Sequence, residues 1–178
     1  MTLITDTICN QQETALEIIL KLKTQFGNAV VAGGAPRDWY MGQIARDIDV
    51  YVVTPPKKAA ILLATATVAL GEEVKHLGKE YEYLEQSGIG FITAGLTYIN
   101  SQSVNIIFLN ENYVGKDGNV YDHFDCDICQ IAWDGDFITT EQFIDAWSSD
   151  TITFNKFEEK HLKKMIYKFK GWKFKFNI

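Results

Sequence analysis

Apolar residues recur at helical period near the start of the chain: Ala15, Ile18, Ile19, Leu22 and Phe26 fall on one face. Asn10 and Glu13 have capping-box spacing before them, and Gly27-Asn28 stops the pattern, which predicts a helix over residues 10–26. Residues 29–32 form a short apolar run and read as a buried strand. Gly33-Gly34 breaks that run, and residues 35–42 read as a helical turn or two. Residues 47–53, rich in β-formers, predict a second strand. Thr54 and Pro55 then supply a cap and a first-turn proline for a helix reaching Leu70.

Strand patterns dominate the middle of the chain. Residues 80–85 are a candidate strand, and residues 90–99 and 103–109 predict a hairpin around Asn100-Ser101-Gln102. Residues 116–119 read as a turn. Residues 126–133 predict another strand, ended by Asp134-Gly135-Asp136. A short helix over 140–147 follows, and Asn155 with Glu158 opens a last helix reaching Lys170. Helices flanking a mixed set of strands predict an α/β (α+β) domain with a mixed central sheet.

Composition narrows the class. With 178 residues, 47% hydrophobic and 22% charged, the chain can bury a sizeable core, which excludes global disorder. The longest mostly apolar run, residues 59–70, is far short of the roughly 20 residues of a membrane-spanning helix. Residues 1–12 lack the basic patch and apolar block of a secretory signal, and three cysteines do not make a disulfide framework. These features predict a cytoplasmic protein with reduced thiols and no membrane partner.

The net charge of −6 conceals an asymmetry. Residues 1–150 carry 9 Lys/Arg against 21 Asp/Glu, and residues 151–178 carry 8 Lys against 2 Glu. The expected organisation is a domain over 1–150 with a basic helix and tail over 151–178 packed on it. Such a tail either meets a polyanion or docks on its own acidic body. Its lysines, between residues 156 and 175, interleave with Phe157, Tyr167, Phe169, Trp172, Phe174 and Phe176. Leu162, Met165, Ile166 and Phe169 give a helical apolar face, while residues 171–176 alternate with period two and read as an edge strand. The aromatics are assigned to packing, and the lysines suit contact with RNA.

Candidate chemistry concentrates in residues 31–50, where a strand ends in Gly33-Gly34, a helical turn follows, and a second strand opens with Asp47-Ile48-Asp49. Two glycines let backbone N–H groups approach an anion without a Cβ in the way. The following helical turn adds aligned donors and a dipole favourable to phosphate. On a strand, Asp47 and Asp49 project to one face while Ile48 points to the other. Paired carboxylates are hard oxygen ligands suited to Mg²⁺, and two such ions are able to assist an attacking oxygen and a departing pyrophosphate. Each feature alone is common; their order is not.

This segment resembles the head motif of the nucleotidyltransferase superfamily, in the branch of tRNA nucleotidyltransferases (CCA-adding) and bacterial poly(A) polymerases. That branch carries Gly-Gly-x-x-Arg-Asp, a spacer with Gly, then Asp-x-Asp, matched here by Gly33, Gly34, Arg37, Asp38, Gly42, Asp47 and Asp49. Downstream, residues 123–134 are similar to the branch's Arg-Arg-Asp-Phe-Thr-Ile-Asn-Ala segment. Asp125, Ile128 and Ala132 fit, whereas His123 and Phe124 occupy the positions of the two arginines. The resemblance implies a polymerase-β-like nucleotidyltransferase fold and a Mg²⁺-dependent transfer, with a two-ion site, of a nucleoside monophosphate from an NTP (ATP or CTP) to an acceptor hydroxyl. The acceptor it favours is an RNA 3′ end, tRNA first. A protein or small-molecule hydroxyl, or a non-catalytic nucleotide- or RNA-binding module, are the alternatives. Asp47 and Asp49 are the implied catalytic and metal-binding residues, with Gly33, Gly34, Arg37, Asp38 and Asp125 on the nucleotide side.

Some positions depart from the family or stand outside it. Asn105 occupies the place of a third carboxylate found in many relatives. No Glu-Asp-x-x-Arg element for reading the base is present, and the helical neck, body and tail have no counterpart. Arg37 and Asp38 could equally form a structural ion pair, and the role of Arg46 stays open. Cys126 and Cys129, three apart on a strand, would point to opposite faces and fail to grip one metal without a turn. They are read as structural, with zinc as the lesser alternative. His76, His123 and His161 are read as surface or packing residues, with His123 the one beside a motif. Trp39, Tyr40 and Met41 are read as packing.

Overall fold

The computed structural model describes residues 2–77, 90–112, 114, 119–156 and 158–177. The candidate strand at 80–85, Phe157 and most of the turn at 116–119 lie outside them. The chain opens with α1 (Thr2–Phe26), β1 (Val30–Ala32), α2 (Gly34–Tyr40), β2 (Asp47–Thr54) and α3 (Ala59–Leu70). β3 (Lys75–Leu77), β4 (Phe91–Ile99) and β5 (Gln102–Asn110) follow. Two 3-10 turns, Val120–His123 and Asp127–Cys129, lead to β6 (Ile131–Trp133) and β7 (Phe137–Thr139). The end is α4 (Glu141–Ser149), β8 (Thr151–Phe154), α5 (Glu159–Lys168) and β9 (Lys173–Phe176).

Among the described residues, seven strands form one mixed sheet in the order β3-β4-β5-β2-β1-β6-β7. β2 runs parallel to β5 and antiparallel to β1, so the end of β1 lies beside the start of β2. Helices α1 and α3 cover one face. Ile18, Ile19, Leu22, Leu62 and Ala66 close over Ile48, Val50, Val52, Val104, Ile106 and Phe108. The opposite face carries Tyr51, Ile107, Leu109, Ala32 and Ala132 under Val114, Val120 and Tyr121. A third cluster joins Cys126, Ile128 and Cys129 to Phe143, Ala146, Ile152, Phe154, Met165 and Phe169. Residues on both sides of position 150 thus share one apolar interior.

The β4–β5 hairpin turns on two residues. Asn100 and Ser101 have φ of 51° and 63° and Ile99 pairs with Gln102, which is the two-residue geometry whose twist matches antiparallel strands.

Several boundaries differ from the sequence expectation. α1 begins at Thr2, not at residue 10, because the inward stripe continues upstream through Gln11 and Ile8; Asn10 and Glu13 sit inside the helix. Thr54 does not cap α3. It pairs with Asn110 as the last residue of β2, and Lys58 stands at the N-cap of α3. The strand expected over 126–133 divides in two, since Asp127 Oδ1 accepts the Ile128 N–H at 2.7 Å and folds residues 127–129 into a 3-10 turn. The alternating tail forms β9, which pairs in parallel with β8 as a separate two-stranded sheet.

Candidate active site

Asp47 and Asp49 lie at the start of β2, on the face opposite α1 and α3, with Ile48 fully buried between them on the helix side. Both carboxylates are half-buried. Asp49 pairs across the parallel ladder with Asn105, whose Nδ2 donates to Asp49 Oδ1 at 2.8 Å. Asp47 Oδ2 accepts from Arg46 Nη2 at 2.7 Å and Nε at 3.1 Å, and the Arg46 side chain is 80% exposed. An ion pair that exposed contributes about 0–1 kcal/mol and yields readily to a stronger partner.

Gly33 forms the bend beside these acids. Its φ of 81° and ψ of −115° belong to a region that glycine alone enters without strain. Its N–H is used by the Ile131 carbonyl of β6 at 2.9 Å, so the donors presented by the bend come from the next residues. Gly34 and Ala35 open α2, where N–H groups have no intrahelical acceptor. A Cβ on Gly33 would meet the Phe124 ring at 3.2 Å. Phe124 also packs on Tyr51 with ring centroids 5.5 Å apart, so an aromatic wall stands where the resemblance places an arginine.

Arg37 points into the interior, 3% exposed. Its Nε and Nη2 donate to Asp38 Oδ1 at 2.9 and 2.8 Å, Nη1 reaches Cys129 Sγ at 3.2 Å, and the guanidinium lies over the Phe169 ring at 5.6 Å. Burial lowers its pKa, but Cys129 and Asp38 outweigh that and hold the charge firmly. Lys168 of α5 adds a second cation to Asp38 Oδ1 at 2.5 Å; burial, then Arg37, lower its pKa. The structural ion pair that the sequence left open is therefore formed, and it ties α2 to α5. Asp125 faces α5 as well: its Oδ2 lies 2.6 Å from His161 Nδ1. Burial lowers the His161 pKa, yet hydrogen bonds with Asp125 and Cys129 carry it to about 10. The Cys126 thiol, with Arg37 and His161, holds Cys129 well below the usual thiol range despite burial.

Sequence reasoning missed the residues that seat the loop before β2. Gln11 accepts from Trp39 Nε1 at 2.9 Å and from the Ala45 N–H at 3.0 Å, and donates to the Ala45 carbonyl at 2.7 Å and Gln102 Oε1 at 2.6 Å. Gln102 in turn donates to the Arg46 carbonyl at 3.1 Å. The signal was present: a glutamine on the apolar stripe of a helix must bond something inside. His123 and Arg46 are exposed, and Trp39 packs edge-on against Trp133 at 5.5 Å, a packing role as expected.

No protein-family model matches the chain, and no curated protein matches it in sequence. Solved structures do match. A tRNA-processing enzyme in its apo form superposes with TM-score 0.55 and 17% identity over 82% of this chain. The Thermotoga maritima CCA-adding enzyme complexed with tRNA gives 0.53 and 18% over 77%. The Bacillus stearothermophilus CCA-adding enzyme in complex with CTP gives 0.53 and 19% over 80%. The chain has a nucleotidyltransferase-like fold. It spans about a third of the length of those proteins, covering 36%, 31% and 33% of them respectively. On this nucleotidyltransferase-like fold the Gly33 bend and the Asp47/Asp49 pair occupy adjacent antiparallel strands. Among the described residues no helix is long and apolar enough to cross a membrane.

Proposed function

We propose that the chain is a Mg²⁺-dependent nucleotidyltransferase that moves a nucleoside monophosphate from an NTP, ATP or CTP, to an acceptor hydroxyl, with an RNA 3′ end as the favoured acceptor. The observation that carries this reading is the placement of Asp47 and Asp49 on one sheet face beside the Gly33 bend. Two half-buried carboxylates are the all-oxygen donor set that Mg²⁺ takes, so the residues present fit the ion. Bound there, Mg²⁺ would neutralise phosphate charge and favour the ionised acceptor oxygen.

The chain's own groups have separable tasks. Gly33 makes the bend, Gly34 leaves room for the triphosphate to approach it, and the first N–H groups of α2 would face its oxygens. Asn105 orients the Asp49 carboxylate through one oxygen. The exposed Arg46–Asp47 pair is weak enough that Asp47 would be available to hold Mg²⁺. The acceptor oxygen then attacks the α-phosphorus, the bond to the bridging oxygen of pyrophosphate breaks, and the acceptor proton passes to solvent or to a carboxylate. Positioning and charge compensation supply most of the acceleration, as in phosphoryl transfer generally. Arg37, Asp38 and Asp125 serve the nucleotide indirectly, by holding the turn and the Phe124 wall in place.

RNA is favoured over the other acceptors by the exposed lysines 156, 160, 163, 164, 170, 173 and 175. The test is incubation of the purified chain with each labelled NTP, Mg²⁺ and either total RNA or cell lysate. Label on RNA supports the full reading. Label on protein or on a small molecule keeps the chemistry and replaces the acceptor. NTP binding without transfer in any arm replaces the enzyme with a binding module.

A further inference from the structure

Cys126, Cys129 and His161 form a cluster apart from the β2 carboxylates, and the nucleotidyl-transfer reading gives none of the three a ligand role. On a strand the two thiols would diverge. In the structure Cys126 is instead the N-cap of the Asp127–Cys129 turn, which brings both sulfurs to the side facing α5. One ligand atom each from Cys126, Cys129 and His161 lie within 4.8 Å of one another. We propose that Cys126 and Cys129 of this turn and His161 of α5 bind one zinc ion.

Three observations carry the proposal. The donor set is two sulfurs and an imidazole, which selects zinc over the hard ions suited to Asp47 and Asp49. Tetrahedral zinc puts two sulfurs about 3.8 Å apart and a sulfur and a nitrogen about 3.6 Å apart, so ligand atoms within 4.8 Å of one another need move together by only about 1 Å. His161 is also oriented as a ligand. Its Nδ1 is held by Asp125 Oδ2 at 2.6 Å, which leaves Nε2 for the thiol side. A carboxylate behind a histidine in this way fixes the ring and strengthens it as a donor. The Asp125 and His161 side chains are 25% and 20% exposed, so solvent reaches the histidine side of the cluster. Arg37 Nη1, 3.2 Å from Cys129 Sγ, then acts as an outer-shell donor to a thiolate. Bound zinc would tie the basic helix α5 to the segment that bears Phe124, and so to the wall over Gly33.

The test uses the full chain, purified under reductant without chelator. Expected are one zinc per chain by elemental analysis, protection of Cys126 and Cys129 from alkylation, and loss of that zinc in Cys126→Ser/Cys129→Ser. Replacement by Co²⁺ is expected to give a thiolate-to-cobalt charge-transfer band, weakened in His161→Gln. The Co²⁺ spectrum of the unaltered chain keeps the test valid if the double variant does not fold. Substoichiometric zinc with no cobalt–thiolate band overturns the proposal. So does zinc retained in full by the double variant, or a Cys126–Cys129 disulfide whose reduction brings no metal uptake. Failure here leaves the nucleotidyl-transfer reading standing, because the two sites share no ligand.

Discussion

Asn105 donates its side-chain amide to Asp49 across the parallel β2–β5 pair, Nδ2 to Oδ1 2.8 Å apart. Where the sequence resemblance implies a third carboxylate, this chain has a donor. On the proposed function it orients Asp49 rather than adding charge.

Removing that donor is expected to slow transfer without unfolding the protein. A hydrogen bond to a charged group contributes about 1.5–3 kcal/mol, so Asn105→Ala should lose roughly ten- to a hundredfold in rate. Its melting temperature should move less than the rate, because the side chain is only half-buried and the backbone pairing of β5 is kept. Initial rates and thermal melts on one preparation separate the two effects.

Gly33→Ala should cost stability through two routes. The backbone there has φ of 81°, and an added Cβ meets the Phe124 ring at 3.2 Å. Strain of this kind costs about 1–3 kcal/mol. Adding Phe124→Leu should recover only the steric part in urea denaturation, since the backbone cost remains.

Arg37 is expected to matter for folding more than for nucleotide affinity. It is buried, and its loss leaves Asp38 with Lys168 as the remaining cation on Oδ1. Breaking such a buried pair costs about 3–5 kcal/mol. Arg37→Met should therefore lower the urea midpoint strongly, while the folded fraction keeps its KM for NTP. A KM rise without a stability loss would place Arg37 on the nucleotide instead.

Gln11→Ala should reach the site from a distance. The side chain holds Ala45 on both its N–H and its carbonyl, one residue before Arg46 and two before Asp47. Stability should fall by about 1–3 kcal/mol. Transfer well below the melting temperature should fall as well, and a purely structural glutamine would leave that rate unchanged.

The sequence made the site legible where local pattern alone decides it. The Gly33-Gly34 bend, the alternation of Asp47, Ile48 and Asp49, and a hairpin around Asn100-Ser101-Gln102 follow from period-two patterning and turn chemistry, although Gln102 pairs with Ile99 and leaves a two-residue turn. What failed needed tertiary partners. The start of α1 was hidden because Ile8 and Gln11 extend the buried stripe past a plausible cap. The turn at Asp127–Cys129 was hidden because Asp127 bonds the Ile128 N–H locally and the Thr153 N–H of β8 at 2.9 Å. That same turn reverses the reading of Cys126 and Cys129, whose convergence depends on the backbone between them. β3 and β7 have three residues each, too few for a periodic signal.

The central claim is that Asp47 and Asp49 act together on a metal-bound triphosphate. It is tested most directly by measuring Mg²⁺-dependent transfer from labelled NTP to RNA for the unaltered chain, Asp47→Ala and Asp49→Ala, with circular dichroism on the same samples. The account predicts transfer by the unaltered chain and a loss of about a thousandfold or more in each variant. The variants should keep the far-ultraviolet spectrum unchanged. Undiminished transfer by Asp47→Ala, or its persistence in the absence of any divalent cation, would contradict it.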